Sequence, residues 1–374
     1  MWWLLAAGIV ATAPLLAHAG KERLDTPAFR AAKAASVMML GVSRAGNRLV
    51  AVGEYGTVLY SDTNGKTWEQ AEVPVSVTLT AVCFPTPNKG WAVGHDGVIL
   101  RSDDGGARWT KQFDGNKGNA LVLAAAQDRE MEARAAAAGA NQPPTAALQA
   151  AERALEDAQA GSRFGPSRPL LGVWFKDESQ GIAVGAFGQI FHTADGGQTW
   201  ALWGNRIDNR EGLHYNAIFA TARGALLIAG EAGKLYRSAD GGATWATLDT
   251  GYQGQLYGAI GVQGGAGRET LIAFGFGGRV FRSTDDGARW QRVMLDEEKP
   301  VVFGTALPDG RIALLTYDGK ILGSDDQGQS FTTESGPVGM SVAAMASIGN
   351  AFAVAGENGV RIVSTKNINK AKQP

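Results

Sequence analysis

A stretch of about forty residues recurs seven times along this chain, and a fixed-period repeat limits the fold more than any other feature of a sequence. Its clearest copies are AVGHDGVILRSDDGGARW, closing on Trp109, and AVGAFGQIFHTADGGQTW, closing on Trp200. Related copies close on Trp68, Trp245, Trp290 and Phe331, and a shortened one, AVAGENGVRIVSTKN, lies near the C-terminus. Each copy has a short apolar strand, a tight glycine turn, an alternating strand and then Ser-x-Asp-x-Gly-x-x-Trp or a variant of it. Trp68 to Trp109 spans 41 residues, the next two Trp-to-Trp steps after Trp200 span 45 each, and Trp290 to Phe331 spans 41. A period of about 40–45 with four strand-like runs fits one four-stranded propeller blade. The spacing therefore predicts an all-β, seven-bladed β-propeller.

The box that ends each unit has a mechanical logic. Ser102 and Asp104 are placed to bond backbone N–H groups across a hairpin turn, Gly106 admits a positive φ, and Trp109 offers a large apolar wedge between blades. The equivalent positions are Asp195 and Trp200, Asp240 and Trp245, Asp285 and Trp290, and Asp326 with Phe331 in place of Trp. The first copy has Thr63 where Asp is expected, and no box follows Ser364. These residues are read as turn formers, not as chemistry. The element resembles the Asp box of bacterial-neuraminidase-type repeats.

Trp109 to Trp200 covers 91 residues with a single box, so an insertion lies there. Residues 114–165 are rich in Ala, Glu, Arg and Leu, strong helix formers, split by Asn141-Gln142-Pro143-Pro144. Leu148, Ala151, Leu155 and Ala158 share one helical face. An antiparallel helical hairpin between blades two and three is expected, serving either as a spacer or as a partner-binding arm.

At the start, MWWLLAAGIVATAPLLAHA resembles a secretory signal peptide with Ala17-His18-Ala19 as its cleavage site, an uncleaved anchor being the alternative. Either predicts export, to the periplasm. Because the last unit lacks its box and final strand, a strand from about Asp25 to Ala35 is expected to complete blade seven. The chain then divides into a leader (1–19), a closing segment (20–36), blades one and two (37–113), the hairpin (114–165), blades three to seven (166–366) and a tail (367–374).

The innermost strands, MMLGVS, LTAVCF, LLGVWF, YNAIFA, LYGAIG, VFGTAL and SVAAMA, share a small residue at Gly41, Ala81, Gly172, Ala217, Gly258, Gly304 and Ala343 and carry no charge. In an up-and-down blade the second turn and the connection to the next blade lie on one side. That face should gather Tyr55, His95, Phe187, Phe276 and Tyr317 from turns, and Trp203, Arg206, Arg210 and His214 from a long connection. Aromatic and arginine side chains on loops are the material of binding surfaces, and these nine are the candidate partner-binding residues.

Catalytic and metal chemistry find little footing. A net charge of −1 argues against a nucleic-acid surface, and the one cysteine, Cys83, excludes an intrachain disulfide. His95, His192 and His214 lie far apart with no metal-ligand spacing. A sialidase needs several arginines on the inner strands; none is there. No metal and no cofactor are expected. A glycoside hydrolase, or a carbohydrate-binding propeller stacking sugars on Trp203, Phe187, Phe276 and Tyr317, stands as the alternative to a binding scaffold.

Across about residues 37–366, apart from the insert, the chain resembles the photosystem II stability and assembly factor-like family of Asp-box propellers. The resemblance is carried by FPTPNKGWAVGHDGVILRSDDGGARW and FKDESQGIAVGAFGQIFHTADGGQTW. It implies a seven-bladed, non-enzymatic scaffold for assembly of a membrane protein complex. The insert departs from the phototroph pattern and points to the non-photosynthetic bacterial branch, which resembles accessory proteins of exporters of the resistance-nodulation-division (RND) class.

Overall fold

The computed structural model describes residues 23–138, 145–265 and 267–365. The leader, the Asn141–Pro144 break and the tail from 367 lie outside the described residues. Among the described residues twenty-seven strands form seven antiparallel sheets, six of four strands in simple sequential order and one of three. Blade one, for example, runs Met39–Ala45, Arg48–Gly53, Val58–Ser61 and Glu69–Gln70. Its inner strand packs against the inner strands of both blade two and blade seven, so the ring closes.

Period-2 alternation explains the stacking. In blade one Val50, Val52 and Val58 meet Leu79, Ala92 and Leu100 of blade two, while Leu49, Ala51 and Leu59 turn to Ala353 and Ala355 of blade seven. Every blade is wedged between two others, so its second strand is buried on both faces; Gly90–Gly94 and Leu226–Gly230 are buried throughout. Seven apolar clusters result, one in each seam.

The boxes do what their residue types predict. Gly106 N–H donates to Ser102 Oγ at 2.8 Å, Ala107 and Arg108 N–H donate to Asp104 Oδ1 at 3.0 and 2.9 Å, and the Trp109 indole donates to Gly106 O at 2.9 Å. Asp240, Asp285 and Asp326 repeat the pattern. In blade one the Thr63 hydroxyl substitutes for the missing carboxylate, accepting from Thr67 N–H at 2.9 Å. Arginines tie one blade to the box turn of the next: Arg101 to Gly196 O, and Arg282 to Gln327 O.

The closing strand expected over 25–35 is absent. Among the described residues blade seven has three strands, Val342–Ile348, Ala351–Gly356 and Gly359–Ser364. Residues 23–36 instead run as a strap along blade one. Ser76 N–H donates to Arg23 O, Lys111 Nζ bonds Leu24 O and Asp25, Ala28 N–H donates to Val73 O, and the Gln70 amide bridges Phe29 and Ala31. Leu24 fills the seam of blades one and two, and the short 3-10 turn Ala34–Ser36 reaches blade seven beside Gly359. Pro27 and a run of alanines give this stretch little strand propensity, so it closes the ring as a clasp.

Candidate functional site

The second turn of each blade is short and glycine-bounded. In blades one, two and three it is a 3-10 turn whose middle residue is left-handed: Tyr55 (φ 57°), Asp96 (φ 57°) and Phe187 (φ 56°). The glycine before each turn crosses so close to the preceding connection, Gly53 over Met38 for instance, that a Cβ would strike backbone. In blades one and three this geometry points the middle side chain outward, whereas Asp96 of blade two is buried. Tyr55 is 67% exposed, Phe187 and Phe276 57% each, and Tyr317 49%. Large aromatics normally find cover, so four tips on one face form a ready contact surface.

The helical hairpin rises from that face. Its first helix spans Gly115–Ala137, capped by Asp114, which accepts from Asn116 and Lys117 N–H; the second spans Ala146–Arg163, capped by Thr145. At 1.5 Å per residue these are roughly 34 and 27 Å long. Gly115 backs onto the blade-two turn at Gly97, Gly118 leaves room for Phe113 and Phe191, and Leu121 enters the seam of blades two and three. Asn119 Nδ2 donates to Gly165 O at 3.0 Å, pinning the two ends of the arm together. Farther out the helices meet each other, with Ala126, Leu148 and Ala158 buried and Arg134 paired to Glu130 and Glu152.

Among the nine candidates, the structure brings Phe187 and His214 into contact, rings 4.7 Å apart and edge-on. Arg168 lies over Phe187 at 5.3 Å. Glu231 accepts from His214 N–H at 2.8 Å and from Gln255 at 3.3 Å. Arg168 and Gln255 belong to the inter-blade connections, and nothing in the repeat singles them out. His95 is exposed, while its neighbour Asp96 is buried beside Arg23 at 3.4 Å, burial raising its carboxyl above the usual range. Arg210 forms an exposed pair with Asp208 and stands apart.

Trp203 and Arg206 pack against each other. The Trp203 indole stacks on His192 at 3.6 Å and carries the Arg206 guanidinium 3.8 Å from its ring centre, so both faces are taken. Arg206 goes on to Ala243 O in the box turn of blade four. This stack fills the seam of blades three and four and is no platform for a sugar.

The bore holds a cavity of about 390 Å³. Every inner strand has a bulge one residue in, which leaves Leu40, Thr80, Leu171, Asn216, Tyr257, Val302 and Ala343 unpaired, and all seven line the cavity. Thr80 and Asn216 use their side chains to bridge to Leu170 O and Leu256 O of the following blade. Register corrects the sequence alignment: the residue after the bulge is Phe303 in blade six and Ala344 in blade seven, not Gly304 and Ala343. Phe303 thus stands where the six other blades have Gly or Ala. The first inner strand also extends to Arg44, which bonds Gly46 O and Ser347 O away from the cavity lining. The lining residues are uncharged, and burial lifts the Cys83 thiol to about 11. Among the described residues no three His, Cys, Asp or Glu side chains are grouped to hold a metal, and no helix is long and apolar enough to cross a membrane.

A closed ring with exposed aromatic tips and a helical arm on one face defines a seven-bladed β-propeller with an inserted helical hairpin. The chain belongs to the photosynthesis system II assembly factor YCF48 family, whose model matches residues 2–103, 60–127 and 164–262. Members of this family of assembly factors are generally non-enzymatic. Similar solved structures include YCF48 bound to a D1 peptide (TM-score 0.60, 16% identity, 89% of this chain and 95% of that one) and YCF48 from Cyanidioschyzon merolae (TM-score 0.59, 15% identity, 90% and 97%). The WD40 propeller domain of Doa1 is comparable in shape (TM-score 0.58, 13% identity, 92% and 97%). No curated protein matches the sequence.

Proposed function

We propose that this chain is an exported, non-enzymatic assembly or accessory factor. Its turn face and helical arm hold a periplasmic part of a membrane protein complex during assembly or operation. The observation that carries this reading is the four exposed aromatic tips, Tyr55, Phe187, Phe276 and Tyr317, on the face from which the arm rises. Peptide capture by the similar YCF48 propeller supports a protein ligand here. Export rests on the apolar leader with its Ala-His-Ala site. The insert and the non-phototroph resemblance favour an RND-type exporter as the complex served.

Crosslinked purification from the membrane fraction tests the proposal, with a variant carrying serine at all four aromatic tips. Loss of the co-purified membrane protein from a variant that still folds supports the docking face. Retention of that protein overturns it, and saturable glycan binding by the wild type would return the carbohydrate reading.

A further inference from the structure

The outer edge of blade seven differs from that of the other six blades. In the other six blades the third strand ends in Ser or Thr, and the outer strand begins eight residues later, at Glu69, Thr110, Ala201, Ala246, Gln291 and Thr332. A box with Ser or Thr at its head makes that reversal, its next acceptor being Asp in five blades and the Thr63 hydroxyl in blade one. After Ser364 the positions two and four residues on are Lys366 and Ile368 in place of Asp and Gly, so the box sequence is not repeated there. Among the described residues the strap meets this edge at its start, where Ala35 lies against Gly359, and Ala31, Val37 and Val360 border the same apolar cluster. Among the described residues, the third strand is the sheet's last from Arg361 to Ser364.

An unpaired edge exposes a row of backbone donors and acceptors and is a template for an added strand. Its side chains say what that strand should carry. Ile362 is 40% exposed and rests on Gly65 in the blade-one turn, so an apolar residue opposite it would extend the seam toward Trp68. Arg361, whose guanidinium donates to Val338 O at 2.7 Å, and Lys66, beside Gly65, are both exposed and basic. The Thr365 hydroxyl at the strand's end is buried with no partner among the described residues. We propose that this edge binds an extended acidic-apolar segment of another polypeptide, which adds to blade seven as its antiparallel fourth strand.

The test uses the full chain and a blocked octapeptide alternating valine with glutamate, with a valine–lysine octapeptide as its counterpart. The glutamate peptide should bind saturably and slow amide hydrogen exchange over 360–364 at least tenfold. Arg361→Glu and Ile362→Lys should each weaken it at least tenfold, and the lysine peptide should bind at least tenfold less well. Melting curves identify the variants that fold; if Ile362→Lys does not, Arg361→Glu alone decides. Unchanged exchange at the edge, or equal binding of the two peptides, would overturn the proposal. So would an edge already protected in a species of twice the monomer mass, because a second copy of the chain would then be the occupant.

Discussion

The His214 ring meets the Phe187 ring edge-on at 4.7 Å, across the seam between blades three and four. Each residue comes from a different blade, so this part of the surface exists only once the ring has packed. Arg168 over Phe187 and Glu231 beneath the His214 backbone fix the pair further. A rigid aromatic held this way loses little entropy when a partner covers it.

Phe187→Ala is therefore expected to separate binding from folding. More than half the side chain is already in water, so thermal stability should change by less than about 1 kcal/mol. Partner affinity should drop by a hot-spot amount, about 2 kcal/mol or thirtyfold. Binding measured by titration beside a melting curve checks both.

The box aspartates should make the ring acid-sensitive. Hydrogen bonds from Thr199 and from Thr244 hold the Asp195 and Asp240 carboxyls at about 2, below the ordinary 3.8. A carboxyl whose folded pKa is depressed adds stability above its unfolded value and loses it as pH falls through the folded one. Melting temperature should fall from about pH 4 toward about pH 2, and the fall should be shallower in an Asp195→Asn, Asp240→Asn double variant. An identical profile for the two proteins would contradict this.

The strap should matter more than its irregular path suggests. Leu24 is 2% exposed in the seam of blades one and two, so Leu24→Ala should cost about 2–5 kcal/mol in denaturant unfolding. Arg30, in contrast, makes one exposed ion pair with Glu72, and Arg30→Ala should cost at most about 1 kcal/mol.

Much of the ring was legible because each blade repeats the same local chemistry: a glycine turn, a box and an aromatic wedge at Trp109, Trp245 or Trp290. The arm was legible because its helix-forming composition breaks the strand period. What stayed hidden depended on contacts distant in sequence. The strap has no period of its own and follows the bonds that blade one offers it. Trp203 reads as a surface aromatic until His192, eleven residues earlier on a neighbouring strand, is found stacked on it. The place of Phe303 in the bore was obscured because a bulge drops one residue from the register of every inner strand.

Removing the outer arm, residues 124–160, and joining its root with a short glycine–serine link tests the docking account most directly. Leu121 and Asn119 stay in place, so the propeller keeps its seam and its root contact. The account predicts a melting temperature within about 4 °C of the full chain and at least a tenfold loss of the membrane protein recovered by crosslinked purification. Full recovery of that protein by the armless ring would contradict it.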